Sequence, residues 1–325
     1  MAAMHTFPTP RVIVSKCIEF DRCRWNGLMI ASDVVKLMRP YVEFLPVCPE
    51  VEIGLGVPRD PIRIVSRNDE WQLYQPATDG DWTEPMQRFT ESHLSSLSNV
   101  DGFLLKSRSP SCGIKDVKVY HASGKGTATG KGIGFFAAGV VSRFGNLAVE
   151  DEGRLTNYTI REHFLTRVFT SARLRASKRV GTMKELVRFH TEHKFLFMAY
   201  SQRRLSELGR IVANHDHKPP SEVWRAYVEA AGAALQKPAG ARSSINVLQH
   251  ALGYFKTGLS SSEKQYFLDT VSAFRVGRVP LSACLSVLRA WIVRFDQEYL
   301  KDQVFFEPYP EELVQITDSG KGRDL

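Results

Sequence analysis

Three cysteines in the N-terminal half of the chain each follow a short apolar run of strand-forming type. Arg11-Val12-Ile13-Val14-Ser15-Lys16 leads to Cys17, and Val42-Glu43-Phe44-Leu45-Pro46-Val47 leads to Cys48. Gly102-Phe103-Leu104-Leu105-Lys106 leads through a short polar stretch to Cys112. Thiols placed alike on three β-units point to one site at one edge of a sheet. Three protein ligands leave a coordination position free, which a catalytic metal centre needs and a structural one avoids. Zinc accepts three thiolates and a water, but paired C-x-x-C spacing is absent and no His lies within a few residues of any of the three. Thiolate-only ligation suits an iron–sulfur cluster better. Burial of three small apolar side chains is the third reading. Spacing alone leaves all three open.

The elements that must position these thiols read as α/β. Strand-like runs occur at 11–15, 42–47, 102–106 and 145–149. A helix opening at Ser32-Asp33 lies between the first two, and another over 83–99, beginning Thr83-Glu84-Pro85, lies between the second and third. Such alternation favours a parallel sheet, with ligands beyond the carboxyl ends of its strands. Residues 123–134, rich in glycine, lack Walker spacing and read as a mobile loop near the site. Thr182-Met183-Lys184-Glu185 resembles a capping box opening a long amphipathic stretch to about Asn214. Helical patterns follow at 221–236, 241–257, 262–275 and 280–300, and the tail from Glu307 is expected to fray. The expected architecture is a Rossmann-like α/β domain with a mostly parallel sheet over residues 1–160, followed by an all-α domain over 161–325.

No apolar run approaches the roughly 20 residues of a membrane helix. The first residues, Met1 to Pro8, lack the pattern of a signal peptide, so a cytoplasmic location is expected, with reduced thiols. The net charge of +8 is unevenly placed. Residues 161–218 hold 13 Lys/Arg against 5 Asp/Glu, whereas the flanking stretches are neutral. Such a block suits a nucleic-acid backbone or is a solvated helical face. Its members include Arg173, Arg175, Lys178 and Arg179, then Arg188, Lys194, Arg203 and Arg204.

Several motifs in combination carry a resemblance. Val14-Ser15-Lys16-Cys17, Cys23-Arg24-Trp25-Asn26-Gly27, Pro46-Val47-Cys48-Pro49-Glu50-Val51 and Ser109-Pro110-Ser111-Cys112-Gly113 are similar to the thiouracil desulfidase family. Val149-Glu150-Asp151-Glu152-Gly153-Arg154-Leu155 resembles that family's closing motif. The likeness covers about residues 10–160. The helical part, through the segment Leu186 to Ser201, resembles the domain often fused to it, as in bacterial desulfidases acting on 4-thiouridine in tRNA.

The resemblance implies a [4Fe-4S] cluster held by Cys17, Cys48 and Cys112, with one iron open to a thiocarbonyl sulfur. It implies hydrolytic, non-redox removal of sulfur from thiolated uridine in tRNA, released as hydrogen sulfide. Glu50 is the expected activator of water, and Ser109 the expected proton relay or ring contact, with Ser111 as rival hydroxyl. Cys23 is expected to be an accessory thiol, and Cys284 a core residue. His190 and His193 are expected in packing or RNA contact. Trp25 or Phe135 is a stacking candidate, and Trp25-Asn26 departs from the Tyr-Asp of stand-alone members. The acidic run Glu150-Asp151-Glu152 either lines the pocket or caps a turn. Two other readings stand beside this one: salvage of free thiouracil or thionucleoside, and a non-catalytic RNA-binding protein with a structural or redox-sensing cluster.

Overall fold

The computed structural model describes residues 6–67, 70–121, 123–124 and 126–318. Met1 to His5, Lys125 of the glycine-rich loop and the tail beyond Asp318 therefore lie outside the described residues. The chain opens with β1 (Arg11–Ser15), α1 (Asp33–Met38), β2 (Glu43–Val47) and the short α2 (Pro49–Glu52). Next come β3 (Arg63–Arg67), β4 (Glu70–Gln75), β5 (Gly80–Asp81) and α3 (Thr83–Ser96). β6 (Gly102–Leu105), β7 (Val117–His121), β8 (Gly130–Gly132), α4 (Phe135–Phe144) and β9 (Ala148–Asp151) complete the α/β part.

The first sheet has the order β2-β1-β6-β9, and every neighbouring pair is parallel. Its central strands are apolar on both faces, with Val12, Ile13, Val14, Phe103 and Leu104 all buried, as a sheet covered on both sides requires. Parallel strands bring their carboxyl ends to one edge, so the residues after Ser15, Val47 and Leu105 emerge together. The expected strand over 145–149 begins later, at Ala148.

A second sheet, order β5-β4-β3-β7-β8, had no counterpart in the sequence reading. Its strands are short and mixed in polarity, and β8 lies inside the glycine-rich segment. There Gly130–Gly132 pairs with β7, and Gly134 caps α4, so this end of the segment is structure rather than mobile loop.

The second half is helical: α5 (Tyr158–Val180), α6 (Met183–Glu192), α7 (Lys194–Tyr200), α8 (Gln202–Ala213), α9 (Pro220–Ala234), α10 (Ala241–Leu252), α11 (Ser261–Arg275), α12 (Leu281–Arg294) and α13 (Glu298–Lys301). The single stretch expected from Thr182 to Asn214 is three helices. Thr182 does cap α6, but Ser201 adopts extended backbone and its hydroxyl accepts from Arg204 N–H, starting α8 afresh. Two compact units result. One comprises Thr9–Ala172 with Leu313–Leu325, the other Met1–Pro8 with Arg173–Glu312. The division falls inside α5, beyond the boundary expected at residue 160. The segment from Glu307 does not fray before Asp318. Tyr309 and Leu313 are buried, and Arg161 donates to the carbonyls of Gln315 and Thr317. Among the described residues no helix is long and apolar enough to cross a membrane.

Candidate active site

The carboxyl edge of the first sheet opens into a cavity of about 400 Å³. Cys17, Cys23, Cys48 and Cys112 all line it, none more than 8% exposed. Cys17 lies two residues beyond β1. Cys48 is the extended residue before α2, whose first position is Pro49, a residue suited to a helix start because its missing N–H is not needed there. Cys112 sits in a tight turn after β6. In that turn the Ser109 hydroxyl accepts from the N–H groups of Ser111 and Cys112, both at 3.2 Å, and Gly113 N–H donates to Ser109 O. Ser15 hydroxyl accepts from Lys106 N–H at 2.9 Å, joining the ends of β1 and β6.

The thiols share an environment hostile to lone anions. A contact with the Cys17 thiol leads the causes that push Cys23 up to about 11, and a contact with Cys23 followed by burial raises Cys48. Burial raises Cys112, partly offset by a hydrogen bond with Ser15. Thiolates are therefore favoured here only beside positive charge, such as a bound metal centre brings. Cys23 contacts both Cys17 and Cys48, and Cys112 lines the same cavity, while among the described residues no three His, Cys, Asp or Glu side chains close on one point as a single ion would need. A soft, all-sulfur donor set lining a cavity of this size fits a polynuclear iron–sulfur group.

Glu50, in the first turn of α2, reaches the cavity wall. Its Oε2 accepts from Arg59 Nε at 3.0 Å and Arg59 Nη2 at 2.6 Å. Its Oε1 accepts from the hydroxyls of Ser111 at 3.0 Å and Ser109 at 3.4 Å. The rival hydroxyls are thus separated by position. Ser109 borders the cavity, while Ser111 is fully buried behind it and lies nearer the carboxylate. Arg59 is the residue that sequence reasoning missed. Its side chain is 6% exposed, and its Nη1 donates to the carbonyls of Cys23 and Gly56. Two of its N–H groups converge on one carboxylate oxygen while a third reaches the Cys23 carbonyl, so it ties the carboxylate to the Cys23 loop. An isolated arginine in a Gly/Pro-containing loop, nine residues after Glu50, offered the only signal.

The remaining expectations sort by position. Gly113 makes room for its own turn and for Val117: a Cβ there would meet Val117 Cγ2 at 2.5 Å and Ser109 O at 2.8 Å. Trp25 lines the cavity and is 46% exposed, whereas Phe135 lines a separate cavity between α3 and α4. Asn26 Oδ1 accepts from Leu28 N–H and shapes a turn. The acidic run is structural. Glu150 pairs with Arg154, Asp151 accepts from Arg154 N–H, and Glu152 holds Lys106 and Ser107. Cys284 is in the helical core. His190 meets Tyr227 hydroxyl, and His193 meets Phe189 O.

The basic block is thinner than its count suggests. Arg173 is buried, with Pro308 O and Glu307 O as acceptors and its guanidinium 4.9 Å from the Phe7 ring, which removes it from the surface. Arg188 pairs with Glu185 and Glu192, and Arg204 with Glu207. Arg175 is half-buried, while Lys178, Arg179, Lys194 and Arg203 are exposed.

Comparison with known proteins gives two family matches: 2-thiouracil desulfurase over residues 12–152, and a protein family of unknown function, DUF1722, over residues 194–310. The chain is 30% identical over 158 residues to uncharacterized protein YbgA of Escherichia coli (strain K12), covering 48% of this chain and 93% of YbgA. It is 28% identical over 129 residues to uncharacterized protein YbbK of Bacillus subtilis (strain 168), covering 38% of this chain and 85% of YbbK. Among solved structures, [4Fe-4S]-dependent thiouracil desulfidase TudS shares 28% identity over 45% of this chain and 93% of TudS, with a TM-score of 0.37.

Proposed function

We propose, because residues 12–152 match the model of the 2-thiouracil desulfurase family, that this chain removes sulfur from thiolated uracil, with 4-thiouridine in tRNA as substrate. The observation that carries the reading is a largely enclosed carboxylate, gripped by an arginine and two serine hydroxyls, on the wall of a cavity lined by four thiols. Cys17, Cys48 and Cys112 would hold a [4Fe-4S] cluster, and Cys23 serves as the accessory thiol beside Cys17 and Cys48. When bound, the cluster supplies a soft Lewis acid suited to a thiocarbonyl sulfur.

The protein's own groups manage the water and its protons. Glu50 Oε1 takes a proton from water as that water attacks the pyrimidine carbon, and Ser109, at the cavity wall, passes protons between Glu50 and the substrate. Arg59 keeps Glu50 oriented towards both serines. The overall exchange is thiocarbonyl plus water to carbonyl plus hydrogen sulfide, with no electron transfer. Of the five cations lining the cavity, Lys16, Arg59 and Lys106 are paired with Asp21, Glu50 and Glu152, which leaves Arg24 and Arg108 as the charge that suits an anionic substrate.

The test is anaerobic cluster reconstitution, followed by sulfide release from thiolated tRNA and, separately, from free thiouracil. Sulfide from tRNA is the expected result. Sulfide from the free base alone supports a salvage enzyme instead. No sulfide from a fully loaded protein removes the desulfidase reading and leaves a binding protein with a structural or redox-sensing cluster.

A further inference from the structure

Two loops carry both the thiols and the mouth of their cavity. The loop after β1 bears Cys17 and Cys23, then Arg24 and Trp25, and the turn after β6 bears Arg108, four residues before Cys112. All of these line the one cavity. The backbone around each arginine is fixed. Arg24 N–H donates to Leu28 O at 3.4 Å, Gly27 N–H donates to Arg24 O at 2.9 Å, and Arg59 holds the preceding Cys23 carbonyl at 3.0 Å. On one side of Arg108, Ser107 N–H donates to Glu152 at 2.8 Å; on the other, the Ser109 hydroxyl accepts from Ser111 and Cys112 N–H. Arg108 itself has a φ of +57°. A side chain other than glycine seldom stands in that left-handed region, and such residues gather at ligand clamps.

Neither guanidinium has an ion pair or a side-chain hydrogen bond among the described residues. Asp116, the carboxylate that feels the charge of Arg108, already has Lys131 as its partner at 2.9 Å. Two like charges left on one concave wall repel each other and draw anions in. A guanidinium meets a phosphate with two parallel N–H donors. An uncharged pyrimidine offers neither arginine a partner, whereas a nucleotide does. Depth separates the two ends of such a ligand. The thiols are buried on the floor, while Arg108 and Trp25 are exposed and Arg24 is half-buried at the mouth. A thiocarbonyl that reaches the thiols therefore leaves its phosphate at the level of the two arginines.

We propose that Arg24 and Arg108 form a phosphate clamp at the mouth of the thiol cavity and take the phosphate attached to the reacting nucleoside. The clamp selects a nucleotide, free or within RNA, and selects against free thiouracil and thionucleoside. The proposal rests on the desulfidase reading above and deepens it by naming the two residues that choose the substrate class.

The test uses the cluster-loaded full chain and two readouts. Calorimetric titration with uridine, its 5′- and 3′-monophosphates and unthiolated tRNA follows the clamp without turnover. The ratio of kcat/KM for each thiolated, phosphate-bearing substrate to that for 4-thiouridine follows it in the reaction. Wild-type protein is expected to favour a phosphate-bearing ligand over the nucleoside at least about tenfold in both readouts, the size of one hydrogen bond to a charged group. Arg24→Gln and Arg108→Gln, made separately, are each expected to cut that preference about tenfold. A preference shared by the monophosphates assigns the clamp to free nucleotides as well, and one confined to tRNA assigns it to backbone phosphates; both support it. The proposal is overturned if wild-type protein favours no phosphate-bearing ligand, or if both variants keep the wild-type preference. If no substrate releases sulfide but the binding preference is present and is lost in the variants, the desulfidase reading fails and the clamp stands. If sulfide is released and the variants keep the wild-type ratio, only the clamp fails.

Discussion

Glu50 is held by three side chains on two different loops, so its chemistry depends on groups outside its own motif. Arg59 is the strongest of them. The pair is nearly buried, with side chains 6% and 13% exposed, and deleting one partner leaves the other charge stranded. Arg59→Ala is expected to cost about 3–5 kcal/mol of stability in urea unfolding. A loss below about 1 kcal/mol, the size of an exposed pair, would show that water already screens it. The serines divide differently. Ser109→Ala is expected to lower sulfide release about 100-fold, because this hydroxyl borders the cavity. Ser111→Ala is expected to spare most activity and to act on stability, because its hydroxyl is wholly enclosed. Equal kinetic losses in the two variants would contradict that division. The thiols, Glu50 and both serines were legible because each stands in a short motif at a strand end. Arg59 was not, because its partner is chosen by the fold of the Gly54–Pro58 loop and not by local spacing.

At the scale of elements, the turn around Cys112 and the start of α4 interlock. Gly134 N–H donates to Gly113 O, and a Cβ on Gly134 would stand 2.5 Å from Ser111 O. Gly134→Ala is expected to destabilise the protein by about 1–3 kcal/mol and to displace the Cys112 turn, reducing iron retained after reconstitution. Full iron content with wild-type stability would mean that the two elements separate freely. The end of β9 carries a pH dependence. Burial, with help from Glu152 and Glu150, lifts Asp151 from 3.8 to about 6. A raised carboxyl favours the fold fully below its unfolded value and loses that contribution as pH rises through the folded value. Wild-type protein is therefore expected to lose up to about 3 kcal/mol between roughly pH 4 and pH 7 from this group. Asp151→Asn keeps an acceptor for Arg154 N–H and should escape the loss. Urea unfolding at pH 4.5 and pH 8 checks this: a stability difference between variant and wild type that does not change with pH counts against it. The parallel strands were legible because both faces are apolar. The second sheet escaped because its strands lack a clean alternation, with the wholly buried Val65 between Arg63 and Arg67 on one face, β5 has two residues, and β8 is built largely from glycine.

At the scale of the whole molecule, the chain passes between its two compact units at Pro8–Thr9, Ala172–Arg173 and Glu312–Leu313. Composition pointed to a single change near residue 160, since the apolar strand pattern stops there. The later crossings depend on contacts made far away in sequence. Arg173 clasps Glu307 and Pro308 in the helical unit, and Arg161 clasps Gln315 and Thr317 in the α/β unit. That second clasp has a consequence for synthesis. On a ribosome, domains generally fold in the order in which they emerge. Here the α/β unit waits for its last segment until about 140 residues of helical chain have been made. Until then Arg161 lacks these two carbonyl partners, so the unit that emerges first is finished last.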